Sequence, residues 1–152
     1  MYGIGNSYLE RVMQDVGRLG LQDAVHYMGP KRLEELAGEI AQCDVGVIPN
    51  HRSAFADINT PTRIFEYLAL GKPVVAPSTA GIQDYFQPDS LFFFESGNAD
   101  DLAGQLEQVA LHPREAIAVA EKGQQIYMDH RWSEEKHAFV GVVSGLLGGN
   151  TV

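Results

Sequence analysis

One short stretch has residue types and spacing that suit a phosphorylated ligand. Asn59-Thr60-Pro61-Thr62-Arg63 precedes and enters an apolar-periodic segment, and Glu66 follows Arg63 by three places. Thr60 suits a helix N-cap and Pro61 the first helical position. A helix start presents unpaired N–H groups and the positive end of a dipole, and both favour phosphate. Thr60 and Thr62 add hydroxyl donors, and Arg63 adds a cation. Glu66 lies nearly one turn further along, where a carboxylate could accept hydrogen bonds from the two hydroxyls of a ribose. The sum is a cradle for a nucleoside diphosphate. The same residues also fit a plain helix start, with Arg63 and Glu66 a solvated pair worth well under ~1 kcal/mol.

Segments of helix and strand period alternate along the chain and must position this stretch. Ser7 and Glu10 read as a capping box for a helix with Leu9, Val12, Met13, Val16 and Leu19 on one stripe, stopped at Gly20. Residues 24–28 read as a strand, and Leu33, Leu36, Ala37 and Ile40 as the face of a second helix. Val45 to Ile48 is apolar on both faces, as in a covered parallel strand. Residues 50–60 form a long polar loop, and long ordered loops are often functional. A helix runs from Thr60-Pro61 to Gly71 with Ile64, Phe65, Leu68 and Ala69 inward, followed by a strand at 73–76. Gly81 to Phe86 is a single helical turn, and Leu91 to Phe94 a further strand. Three helices close the chain. Asn98 caps the first, Pro113 starts the second, and Ser133 caps the last, with Phe139, Val142, Val143, Leu146 and Leu147 inward.

This order predicts an α/β fold: a doubly wound, Rossmann-like parallel sheet with helices on both faces and extra C-terminal helices. Ligands of such sheets bind outside the carboxyl ends of the strands. Three loops lie there: Gly29-Pro30-Lys31, 49–60 and 77–81.

Length and composition narrow the function further. At 152 residues the chain is expected to be one domain with room for a core. Eleven Lys and Arg stand against twenty Asp and Glu, for a formal charge of −9. That field repels a nucleic-acid backbone, so no nucleic-acid partner is expected. The single Cys43 excludes a disulfide framework and a four-cysteine zinc site, and a reducing compartment is expected. No signal peptide and no apolar run long enough to span a bilayer is present, which predicts a cytoplasmic protein. The five histidines share no metal-ligand spacing, so no metal is expected, and His51, in the long loop, is the one that sits near the candidate site. Phe92 to Phe94 reads as a buried strand and Trp132 as a packing residue at a helix start.

Several motifs, in order over most of the chain, resemble the carboxyl-terminal donor-binding domain of a GT-B glycosyltransferase of the retaining, family-four (group 1) kind, a mostly bacterial group. They are Gly3-Ile4-Gly5, the segment from Leu19-Gly20-Leu21 to Val25, Tyr27 and Gly29, Cys43 to Pro49, Gly97 to Leu102, and Tyr127 to Trp132. The strongest is Pro61 to Ala76, which resembles the helix and strand that hold the donor. The resemblance implies a transferase that binds a nucleotide-diphosphate sugar and passes the sugar to an acceptor, without a cofactor or metal. Glu66 matches the second glutamate of the family's Glu-x7-Glu motif, implying a ribose contact. The first glutamate falls at Ile58, a departure, with Asp57 one place away. Asn59 to Thr62, with Arg63, match the segment that meets the diphosphate, and Gly29 and Pro30 the loop near the base.

The family's sheet order resembles 3-2-1-4-5-6. Its acceptor domain and the first strand of this domain have no counterpart here. The chain is therefore expected to be a partial domain over 1–152, incomplete for catalysis alone, that pairs with a second copy or with a partner carrying the acceptor domain. That missing domain could also seat it at the inner membrane face. A non-catalytic module of the same fold that binds a nucleotide or a partner is the competing expectation, and the acceptor is left open.

Overall fold

The computed structural model describes residues 5–148. Among these the chain divides into two compact units, one up to Glu39 and one from Ile40 on.

The first unit holds helix α1 (Ser7–Arg18) and most of α2 (Leu33–Ala41). Asn6, not Ser7, caps α1: its extended backbone places Oδ1 to accept from the N–H groups of Tyr8 and Leu9, at 3.1 and 3.0 Å. The cap belongs to the last non-helical residue, because only there does a short side chain meet the orphan donors. Val16 is buried, whereas Leu19 lies past the last turn and is exposed. The strand expected at 24–28 does not form. Val25, Tyr27 and Gly29 are half-buried and alternate with exposed His26 and Met28, so the period of two is real. No ladder among the described residues takes up this stretch, and alternation without a partner is not a strand. α2 forms as expected, yet buries none of its residues, and Leu33 is exposed.

The second unit is built on a parallel sheet of β1 (Gly46–Val47), β2 (Val74–Pro77) and β3 (Phe92–Phe94), in that spatial order. Gly46 pairs with Val74, and Val75 with Phe92. Side chains alternate across it. Val74, Ala76 and Leu91 join Ile48, Ile64, Leu68, Ile82 and Phe86 on one face. Val75, Phe92 and Phe94 join Val109 and Ala116 on the other. Both faces are covered, which is why these strands read as unbroken apolar runs. The expected α/β class with helices on both faces holds, with three strands in one sheet.

Helices cover both faces of it. After β1 come α3 (Ala54–Ile58) and α4 (Thr62–Ala69), and after β2 comes α5 (Ala80–Gln83). Helices α6 (Ala99–Leu111), α7 (Pro113–Asp129) and α8 (Trp132–Gly148) close the unit. Asn98 caps α6, its Oδ1 accepting from the Asp101 N–H at 3.0 Å, and Pro113 opens α7. α4 packs on β2 and α7, and α6 on β2 and β3.

Three expectations need correction. The loop at 50–60 contains α3, whose cap is Ser53, with Oγ accepting from the Ala56 N–H at 3.0 Å. α4 starts at Thr62 with Pro61 as its cap residue, so Thr60 lies one place outside the helix. α8 begins at Trp132 rather than after a Ser133 cap, and the side chains expected inward, Phe139, Val142, Val143, Leu146 and Leu147, are all exposed, as is Trp132. No described helix is long and apolar enough to cross a membrane.

Candidate functional site

Two strand-to-helix connections meet at the carboxyl edge of the sheet. One runs from β1 through α3 to α4, and the other from β2 into α5. Thr60 ties them together: its hydroxyl donates to the Gly81 carbonyl at 2.5 Å. The approach is close enough that a Cβ on Gly81 would stand 2.5 Å from the Ile58 carbonyl carbon. Gly81 is thus a requirement of the junction, since no side chain fits without moving backbone.

Between these connections and the end of α7 lies a cleft of about 590 Å³. Asn59, Thr60 and Thr62 line one wall, Asp84 and Tyr85 of the α5 turn another. His130, which caps α7, and Glu135, from the first turn of α8, line the far side, where His130 Nδ1 lies 2.6 Å from Glu135 Oε1. Its apolar part is an aromatic chain. Phe65 meets Tyr85 edge-on at 5.9 Å, and Tyr85 meets the His130 ring at 5.1 Å. Among the described residues the side chains of Asn59, Thr62, Asp84 and Tyr85 have no hydrogen-bond partner, and no group of three His, Cys, Asp or Glu could hold a metal.

The structure brings some of the predicted residues together and separates others. Asn59, Thr60 and Thr62 share the cleft. Arg63 and Glu66 lie on an adjacent face of α4, outside it; Arg63 is exposed, Glu66 half-buried, and they form no ion pair with each other. The reading of Arg63 and Glu66 as a mere surface pair therefore loses its contact. α4 carries no side-chain cap, which leaves the first-turn N–H groups of Thr62 and Arg63 unclaimed. Asp57 sits on α3 and accepts from Arg52 Nε at 3.3 Å. Gly29, at φ 73°, and Pro30 belong to the first unit. His51 is exposed and does not line the cleft.

Tyr67, between Glu66 and Leu68, packs its ring against β1. Burial raises its phenol above the usual value, with Cys43 and Glu66 adding to the shift and Arg63 opposing it. Sequence reasoning missed Asp84, Tyr85, His130 and Glu135. The only local signal was a His and a Glu straddling a helix start, five residues apart; the rest is tertiary. Thr79, at the start of α5, has a buried hydroxyl with no partner among the described residues.

A second cleft of about 590 Å³ lies between β3, α6 and α7, near the amino end of β3. It contains none of the predicted residues, and its charged pair, Lys122 with Asp89 at 2.7 Å, is exposed. Topology favours the first cleft, since ligands of open parallel sheets lie at the carboxyl ends of the strands.

A glycosyl transferase-like family model matches residues 5–139. The D-inositol 3-phosphate glycosyltransferase of Corynebacterium jeikeium (strain K411) is 31% identical over 80 residues, which is 53% of this chain and 18% of that protein. Sucrose-phosphate synthase from Thermosynechococcus elongatus superposes with a TM-score of 0.85 at 20% identity, over 98% of this chain and 38% of that one. HepE of Anabaena, solved in complex with UDP and glucose, gives 0.78 at 20% identity, over 94% and 39%. The chain thus spans less than half the length of each of these relatives. The two solved structures share its GT-B, Rossmann-like fold.

Proposed function

The chain belongs to the glycosyl transferase-like family, and on that premise we propose that it binds a nucleoside-diphosphate sugar as the donor for glycosyl transfer. The observation that carries the reading is the uncapped start of α4 at the carboxyl edge of the sheet, with Arg63 in its first turn and Glu66 one turn on. The free N–H groups of Thr62 and Arg63, the dipole end and the guanidinium together hold the diphosphate. Asn59 and Thr62 add an amide and a hydroxyl. Thr60 serves by position, since its proton is committed to Gly81. The Glu66 carboxylate accepts from the ribose hydroxyls. Asp57 lies one place before Ile58, the position of the family's first glutamate. A local cation and a helix end suit a chain of net charge −9, because anion binding then depends on the near field rather than the whole. No cofactor is needed for this role, and acceptor recognition falls to a domain other than this one.

The HepE structures with UDP and with UDP-glucose make uridine nucleotides the first probe. Calorimetry with UDP, GDP and ADP finds the preferred nucleotide. For that nucleotide Glu66→Gln lowers affinity roughly ten- to hundredfold, as expected for hydrogen bonds to a charged group of ~1.5–3 kcal/mol. Unchanged affinity removes Glu66 from the site.

A further inference from the structure

α8 packs closely on no other described element, and none of its described side chains is buried. Trp132, Phe139, Val142, Val143, Leu146 and Leu147 are 38–78% exposed. At about 3.6 residues per turn these six fall within one half of the helix surface, and Ala138, Gly141, Ser144 and Gly145 take the other. Side chains of these sizes at these exposures leave roughly 700 Å² of surface, which exceeds the largest apolar patch of most monomers and approaches the ~800 Å² per partner of a standard interface. A lone helix of this length is marginal in water, so a stripe of this kind is half of an interface.

Two features select what completes it. The first is spacing. Trp132, Phe139 and Leu146 recur every seven residues, and the set is symmetric about Phe139. Two copies laid antiparallel across Phe139 set each Trp132 against the other copy's Leu146, with Val142 and Val143 between. Such self-complementarity is what a twofold contact requires. The second is charge. A formal charge of −9 opposes self-association in general, but residues 137–148 contain no Asp, Glu, Lys or Arg. Antiparallel order also keeps the acidic starts, Glu134 and Glu135, about 12–15 Å from their counterparts along the axis, beyond the ~8 Å screening length of physiological salt.

We infer that α8 is a self-association surface, through which two copies of this chain pair antiparallel with Phe139 at the twofold axis. The pairing is independent of the donor-binding reading. A seam of about two heptads makes a weak contact, with a Kd on the order of 10⁻⁴ M. The chain is then a monomer at micromolar concentration and mainly a dimer near millimolar.

Sedimentation equilibrium of the full chain, from about 5 µM to about 1 mM, tests this against that Kd. Phe139→Glu places two carboxylates at the axis and is expected to raise the Kd at least tenfold. Leu111→Glu, at an equally exposed apolar position on α6, is expected to change it less than twofold. Circular dichroism and a thermal melt check that each variant stays folded. Single cysteines fix the direction of the helices, in a Cys43→Ser background. Phe139→Cys is expected to yield a disulfide-linked dimer under a mild oxidant and Leu146→Cys is not, since antiparallel order holds the two 146 positions about 20 Å apart, beyond the ~7 Å reach of a disulfide. A chain that stays monomeric to the highest concentration overturns the inference. So does an equal effect of Leu111→Glu, which moves the contact off α8. Equal cross-linking at both positions overturns the antiparallel seam. A monomer that sediments with phosphatidylcholine vesicles, and loses this in Phe139→Glu, assigns the stripe to a lipid surface instead and also overturns it.

Discussion

α4 and α8 look alike as sequence and behave oppositely as structure. Each is an apolar-rich helix with a polar start, and each reads as having one inward face. α4 buries Ile64 and Leu68 completely, because β2 lies on one side of it and α7 on the other. α8 buries nothing among the described residues: Leu146 and Leu147 are 76% and 78% exposed, and Trp132 is 68% exposed, with its ring centroid 6.2 Å from that of Phe139. Apolar spacing therefore tells which side of a helix would be covered. Whether anything covers it depends on the rest of the fold, because burial is a property of two surfaces.

The contrast can be broken or sharpened by three measurements. The largest effect belongs to Leu68→Ala, which empties a sealed site between sheet and helix and is expected to cost about 2–5 kcal/mol of unfolding free energy in a denaturant titration. A cost below 1 kcal/mol would mean that α4 is no better packed than α8. Next is Gly46→Ala. Its Cβ would meet the Tyr67 ring at 2.3 Å, so the ring must leave β1, at about 1–3 kcal/mol. The same variant has a titration signature. Burial holds the folded phenol above the ordinary value of 10.0, so the folded state keeps its proton longer than the unfolded chain does. That contribution is complete below about pH 10 and is lost as the pH rises through the folded value. Displacing the ring returns the phenolate absorbance transition toward the ordinary value, and an unmoved transition would place the ring where it was. The smallest effect is expected from Leu146→Ala, within about 0.5 kcal/mol, as for other surface changes. A loss above 1 kcal/mol would reveal a partner surface for α8.

What could be read from the sequence follows the same division. The starts of α6 and α7 were legible because Asn98 and Pro113 act within one turn of themselves. β2 and β3 were legible because strands covered on both faces need no alternation, and Val74 to Pro77 and Phe92 to Phe94 show none. The stretch at 24–28 has the right period and lacks a ladder, a condition no local pattern can state. α3 escaped notice because five residues and one Ser53 cap give too short a period to register. The site divides likewise. The residues from Asn59 to Glu66 lie on one helix start and could be found by spacing. Asp84 and Tyr85 reach the cleft only because Gly81 lets two connections touch, and His130 only because α7 ends beside them. Arg63 and Glu66 were rightly placed on one helix, but the cleft opens on its neighbouring face.

The hydroxyl bond from Thr60 to Gly81 has a consequence for the thermodynamics of occupancy. It joins two connections that are 21 residues apart, in a place where the backbones already touch. The rim of the cleft is thereby ordered before anything enters, so the entropy of fixing it belongs to folding and not to association. Each rotamer-rich side chain immobilised on binding costs about 0.5–1.5 kcal/mol. Here the loops beneath those side chains add little to that cost. Losing the hydroxyl, as in Thr60→Val, would move part of the ordering into the binding step. Weaker association would then come with a more unfavourable entropy and with every other lining side chain still in place.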